Sequence, residues 1–271
     1  MKNNHISGKM EMLKSLIREY DSLSVAFSGG VDSTFLLAFS RSILGENVQA
    51  IISKTPLFSE FEEESALTFI RQTGIVCHAV TPDIMANDDF IKNEKNRCYI
   101  CKKILLKAIM EKSHETGINR VAHGVNADDL NDYRPGIKAA EELGVLSPLS
   151  LAGFTKKEIR EASRIMGLST ADNPQMACLA SRIPYGSPVT LEKLSMIERS
   201  ESVLRTLGFH GSRVRHHDTV ARIEVKDGDF GRLMAEDVRR ELIEAFKKMG
   251  FLHISVDLEG YQQGSMNRAV L

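Results

Sequence analysis

The sequence predicts an α/β fold, a parallel-sheet domain followed by a smaller α+β domain. From Leu23 to Met166, short β-branched strands alternate with amphipathic helical patterns, the order of crossover units in a parallel sheet. The apolar run Leu23 to Phe27 passes through Ser28-Gly29-Gly30-Val31-Asp32-Ser33 into apolar residues at helical spacing, which reads as strand, tight loop and helix start. Beyond Pro184 the pattern changes to helix, hairpin, helix and a last strand.

A chain of 271 residues with 42% apolar and 26% charged residues can bury one large or two small cores. The irregular, proline-bounded segment Asp172 to Gly186 places the boundary near Pro184, giving domains 1–183 and 184–271. A net charge of −1 gives no bulk basicity, so no nucleic-acid partner is expected. No long apolar run and no signal pattern over Met1 to His5 occur, so the expectation is a cytoplasmic protein with no membrane contact. In a reducing compartment the four cysteines at 77, 98, 101 and 178 read as thiols or metal ligands.

In chain order, Lys9 to Tyr20 places Met10, Leu13, Leu16 and Ile17 on one helical face, a packing helix. After the first loop and its helix come a strand at Val48 to Ser53, a helix at Ser59 to Gln72 and a strand at Ile75 to Val80. The loop Ser53 to Phe58 leaves a strand at its carboxyl end, where ligands of such sheets gather, and is the expected adenosine-side wall. A helix through Met110 and a strand at Arg120 to His123 lead to Gly124-Val125-Asn126-Ala127-Asp128-Asp129, too polar for an element interior. Its Asn and Asp residues read equally as metal and nucleotide contacts or as helix caps. Thr155 with Glu158 forms a capping box for the helix to Met166. Leu191 to Leu207 and Met234 to Met249 read as helices, Ser212 to Arg215 with Thr219 to Val225 as a hairpin, and His253 to Leu258 as a strand.

The first loop carries the chemistry. Gly29 and Gly30 let phosphate oxygens approach the backbone, Ser28 and Ser33 supply hydroxyls, and the helix start supplies unpaired N–H groups. Asp32 is the candidate magnesium ligand. The Walker lysine is absent, which excludes a P-loop NTPase. The hexapeptide after a hydrophobic strand resembles the PP-loop of N-type ATP pyrophosphatases, which cleave ATP between the α and β phosphates and adenylylate a substrate.

With the PP-loop, Gly124 to Asp129, Asp132-Tyr133-Arg134-Pro135-Gly136, Ala177-Cys178-Leu179-Ala180-Ser181-Arg182 and Asp257-Leu258-Glu259-Gly260-Tyr261 resemble the LarE family, ATP-dependent sulfur transferases of nickel-pincer nucleotide cofactor synthesis. The resemblance implies adenylylation of pyridinium-3,5-biscarboxylic acid mononucleotide followed by sulfur attack, with ATP, magnesium and a sulfide donor. It assigns Ser28, Gly29, Gly30, Asp32, Ser33, Gly124, Asn126 and Asp128 to the nucleotide. Arg182, Arg213 and Arg215 go to the substrate, and Cys178, Glu201 and Glu224 to catalysis beside Asp32. Arg213 and Arg215 point to the same side of a strand, a geometry for one shared phosphate, although a solvated basic stripe has the same pattern. Where many relatives read Trp-Asp-Lys-Pro, this chain has Ala171-Asp172-Asn173-Pro174, so no role of that Trp or Lys carries over.

The family divides by sulfur source. Some members give up the sulfur of one cysteine; others hold a [4Fe-4S] cluster on three. Cys98-Tyr99-Ile100-Cys101 with Cys178 matches the second type, a redox or zinc CxxC being the alternative reading of the pair. Cys77 lies in an apolar run and reads as core. The protein is expected to be a homo-oligomer. A tRNA thiolase and an amide-forming ligase are the rival enzymes of the same loop, and an ATP-binding regulatory module the non-enzymatic one.

Overall fold

The computed structural model describes residues 2–131, 135–174 and 177–262. Asp132, Tyr133 and Arg134 of one motif, Gln175 and Met176 of the cysteine loop, and the tail from residue 263 lie outside the described residues. The chain divides into two compact units, one of residues 1–55, 60–84 and 96–175, the other of 56–59, 85–95 and 176–271.

The first unit is the parallel α/β fold that the alternation predicts. Helix α1 (Lys2–Arg18) precedes β1 (Leu23–Ala26), α2 (Val31–Leu44), β2 (Val48–Ser53), α3 (Glu60–Thr73) and β3 (Val76–Val80). After the one-turn helix α4 (Asp88–Ile91), which belongs to the other unit, come α5 (Arg97–Glu115), β4 (Val121–Ala122), α6 (Pro135–Glu142), the one-turn helix α7 (Pro148–Leu151) and α8 (Lys156–Ile165). The strands lie in the order β3-β2-β1-β4, and β1 pairs in parallel with both β2 and β4. Leu13 and Ile17 of α1, Phe35, Leu36 and Phe39 of α2 and Ile159 and Ala162 of α8 join Leu23 and Val25 in one buried cluster. Ile51, Leu106, Ile109, Val121 and Ala140 form a second, strands β1, β2 and β4 being covered on both faces as crossover helices require, while the edge strand β3 is partly exposed. Helix α6 starts where the sequence still reads as polar loop, because Pro135 suits a first helical position and Ala139 and Ala140 bury its inner face.

Polar residues inside this core are paired. Ser24 meets the Ser113 hydroxyl at 2.6 Å and accepts from the Gln49 amide at 2.8 Å, which also reaches Thr116 at 2.6 Å. This network sits under the amino ends of β1 and β2, leaving the carboxyl ends for loops.

The second unit carries α9 (Leu191–Thr206), β5 (Arg213–His217), β6 (Val220–Glu224), the one-turn helix α10 (Phe230–Leu233), α11 (Glu236–Lys248) and β7 (His253–Val256). Strands β5 and β6 form the expected hairpin, while β7 pairs with β6 in parallel. Leu204, Phe209, Val214, Ile223, Leu242, Phe246 and Phe251 fill its core. Asn93, buried and at φ 56°, donates its amide to the carbonyls of Pro184 and Ser187, both at 2.8 Å, and so ties residues 85–95 to the proline loop. No helix among the described residues is long and apolar enough to cross a membrane.

Candidate active site

The Ser28 to Ser33 segment forms the tight loop between strand and helix start that the sequence predicts. Gly29 has φ 74°, and a Cβ there would lie 2.7 Å from the Ala66 Cβ, so close packing against α3 and the left-handed backbone both require glycine. The Ser33 hydroxyl donates to the Gly30 carbonyl at 3.1 Å and meets the Ser28 hydroxyl at 3.1 Å, which fixes the loop over the α2 start. The Thr34 N–H makes the first helical bond, to the Gly30 carbonyl, so the N–H groups of Val31, Asp32 and Ser33 face outward at the positive end of α2 by helix geometry.

Strand β4 lies next to β1, and its following loop therefore lands on the same helix start. A Cβ on Gly124 would sit 2.8 Å from the Ser33 backbone nitrogen and 3.1 Å from the Asp32 carbonyl carbon, so the two loops close on each other only through a glycine. Beyond it the polar residues serve as caps. The Asn126 side chain accepts from the N–H groups of Asp128 at 3.0 Å and Asp129 at 3.3 Å, and Asp129 accepts from the Asn126 N–H at 3.1 Å. Asp128 accepts from the Lys156 N–H at 2.8 Å, adding to the Thr155–Glu158 capping box at the start of α8. Of the two sequence readings of this loop, capping is what these side chains do here. His123, at the end of β4, bonds Ser147 at 2.8 Å; burial, helped by Lys102, pushes its pKa down to about 3 and keeps the ring neutral.

The residue that the sequence reading passed over is Lys156. Its ammonium reaches the Asp32 carboxylate at 2.5 Å, with both side chains partly exposed. A cation in the first turn of a helix opposes the helix dipole, but Lys157 beside it does the same, so the sequence does not single out Lys156. Asp32 is an oxygen donor suited to a hard divalent cation, and Lys156 occupies it with a positive charge. Magnesium bound at Asp32 and the lysine would therefore compete for one carboxylate.

In the second unit the expected acidic and basic residues are buried partners of one another. Arg182 binds Glu201 through two bonds of 2.9 and 3.0 Å and also donates to the carbonyls of Ala177 at 2.6 Å and Cys178 at 2.9 Å, thereby shaping the cysteine loop. Burial alone would raise the Glu201 carboxyl, but Arg182 and the Val214 N–H hold it below the usual carboxylate range. Arg215 binds Glu224 through bonds of 2.9 and 2.7 Å and donates to the Ser181 carbonyl at 3.2 Å. Arg213 and Arg215 flank Val214 on β5 and share the sheet face opposite its core, as their spacing predicts. Arg222 joins the same face and pairs with Asp257 and with Glu224.

Cys98, exposed, and Cys101, partly buried, stand one turn apart at the start of α5, while Cys178 belongs to the second unit. Among the described residues, no group of three or more His, Cys, Asp and Glu side chains could hold one metal ion. Cys77 is partly rather than fully buried and packs against the edge of the first unit's core, and that burial pushes its thiol up to about 11 against the nearby Lys54.

No family model matches the chain. Over 205 residues it is 22% identical to a component of the glutamine-hydrolyzing GMP synthase of Archaeoglobus fulgidus, covering 66% of this chain and 63% of that protein. With the four-stranded parallel sheet and the Ser28 to Ser33 loop at its centre, this likeness places the first unit in the PP-loop fold class. The match to an uncharacterized protein of Synechocystis sp. is 40% over 265 residues, 98% of this chain and 99% of that one. Pyridinium-3,5-bisthiocarboxylic acid mononucleotide synthase of Lactiplantibacillus plantarum is 31% identical over 265 residues, 97% of this chain and 95% of that enzyme. The chain belongs to the LarE family.

Gly124→Ala tests the closure of the two loops. Overpacking against backbone should lower stability by about 1–3 kcal/mol, whereas Gly8→Ala, with open space around its Cβ, should not destabilise the protein. Equal thermal midpoints for wild type and Gly124→Ala would show that the loops can part without cost.

Proposed function

We propose that this protein uses ATP to adenylylate a carboxylate of pyridinium-3,5-biscarboxylic acid mononucleotide and then converts the acyl adenylate to a thiocarboxylate. The observation that carries this reading is the loop pair at the carboxyl ends of β1 and β4, with outward N–H groups and an Asp32–Lys156 pair at one helix start. The end-to-end likeness to the L. plantarum synthase supplies the substrate class.

The chemistry follows from charge. A carboxylate is a poor electrophile, so its oxygen first attacks the α phosphorus of ATP and pyrophosphate leaves. A sulfur nucleophile then attacks the activated carbonyl carbon and AMP leaves. The α2 N–H groups and the Lys156 ammonium offset charge on the phosphates, each such donor being worth roughly 2.7–4 kcal/mol in comparable sites. Asp32 would hold a magnesium ion, which would supply positive charge to the phosphates, and Lys156 would then turn from the carboxylate toward the leaving pyrophosphate. Arg213 and Arg215 hold the substrate phosphate. Glu201 and Glu224 act by fixing arginines rather than by proton transfer, because each already serves as a buried counter-ion.

For sulfur, the three-thiol pattern supports a [4Fe-4S] cluster on Cys98, Cys101 and Cys178, with a sulfide donor outside the protein. When bound, such a cluster leaves one iron open to hydrosulfide. Sacrifice of the Cys178 sulfur is the other route.

Asp32→Ala and Lys156→Met should each abolish pyrophosphate release while leaving the thermal midpoint close to wild type. Near-normal ATP cleavage in either would remove that residue from the site. The sulfur route is read separately. Anaerobically reconstituted protein should bind about four irons per chain, and Cys98→Ala or Cys101→Ala should lose iron and turnover together. Full activity in those variants, with Cys178 losing the mass of one sulfur in a single turnover, would establish the sacrificial route instead.

A further inference from the structure

The segment Asp257-Leu258-Glu259-Gly260-Tyr261 supports the family resemblance, yet nothing in the reaction above uses it. Its backbone is tied to β6 beyond the end of β7: the Asp257 N–H donates to the Ile223 carbonyl at 2.9 Å and the Tyr261 N–H to the Val225 carbonyl at 2.8 Å. The Asp257 carboxylate pairs with Arg222 and accepts from the Glu259 N–H at 2.9 Å, closing the turn between those two backbone bonds. Gly260 completes it at φ 66°, where a Cβ would lie 2.7 Å from the Val225 carbonyl oxygen, so no other residue fits. Apolar burial does not explain the turn, because Leu258 at its tip is 91% exposed.

What the turn achieves is the position of one ring. Tyr261 is carried past the end of β6 and lies against the Arg213 guanidinium, 5.2 Å from ring centroid to the central carbon. Arg213 is 8% exposed and donates to the Ser212 carbonyl at 2.8 Å. Burial, then the neighbouring Arg182, disfavour its charge, and Glu201 and Tyr261 oppose that effect. The electron-rich face of an aromatic ring stabilises a desolvated guanidinium and fixes its plane, and with it the directions in which its N–H donors point.

We propose that Tyr261 is a positioning residue, seated by the Asp257–Tyr261 turn, that holds the Arg213 guanidinium in the orientation that grips the phosphate of the mononucleotide substrate. The inference rests on the reading of Arg213 as a substrate-phosphate ligand and adds the group that orients it. Tyr261 touches no reacting atom.

The test is calorimetric binding of nicotinic acid mononucleotide, of its riboside without the phosphate, and of ATP to the full-length chain. Tyr261→Ala should weaken the mononucleotide by roughly 3- to 30-fold, leave riboside and ATP affinity unchanged, and be rescued by Tyr261→Phe, which keeps the ring. Gly260→Ala should reproduce the loss by displacing the turn. Tyr261→Leu keeps apolar bulk without an aromatic face, so comparing it with Tyr261→Phe gives the same answer if the alanine variant does not fold. Wild-type mononucleotide affinity in Tyr261→Leu, or equal losses for mononucleotide and riboside, would overturn the proposal by reducing Tyr261 to a structural anchor. Arg213→Ala separates the two layers. If it loses the mononucleotide while Tyr261→Leu does not, only the positioning role falls; if it binds normally, the substrate-phosphate reading of Arg213 falls with it.

Discussion

The first unit depends on one close approach, the Gly124 backbone against the first turn of α2. Because β1 and β4 are neighbours in register, Ser24 opposite Val121 and Val25 opposite Ala122, their carboxyl ends deliver two loops to the same place. Any side chain at 124 would press on the Ser33 nitrogen and lift the second loop away. With it would go Asp128, which caps α8, and thus the lysine at the α8 start that reaches Asp32. The Asn and Asp residues of the second loop matter to the site as rigid supports, and the group that completes it is brought in by the helix they cap.

The second unit is organised by buried charge. Arg182 with Glu201 and Arg215 with Glu224 are nearly inaccessible ion pairs with two bonds each. Such pairs add little net stability, yet removing one partner leaves an uncompensated charge and typically costs about 3–5 kcal/mol. Loss of activity on substituting Glu201 or Glu224 would thus report damage to the arginine scaffold before it reported catalysis. The same pairing explains how arginines can crowd one sheet face: Arg215 and Arg222 stand directly opposite across β5 and β6, and Glu224 lies between them in charge.

The parts of this protein legible in its sequence are those set by short-range rules. The six-residue loop, the Thr155–Glu158 capping box and the common face of Arg213 and Arg215 each follow from backbone geometry over a few residues, and each is present in the structure. Long-range pairings were not legible. Lys156 meets Asp32 across 124 residues of sequence, and Asn93 meets the carbonyl of Pro184 across 91, with no local pattern to announce either. The entry of residues 56–59 and 85–95 into the second unit is equally silent, since those segments are too short to show a period of their own. The cysteines are an intermediate case. The CxxC spacing puts Cys98 and Cys101 one helical turn apart on α5, whereas spacing says nothing of where Cys178 stands.

The central claim, carboxylate activation by adenylyl transfer, is tested most directly by isotope transfer. Pyridinium-3,5-biscarboxylic acid mononucleotide labelled with oxygen-18 in its carboxylates should, on turnover with ATP and a sulfur source, give AMP carrying one labelled oxygen together with unlabelled pyrophosphate. Each label in AMP would mark one carboxylate oxygen that left with the adenylyl group. Label in inorganic phosphate with ADP as the nucleotide product, or AMP free of label, would contradict the account.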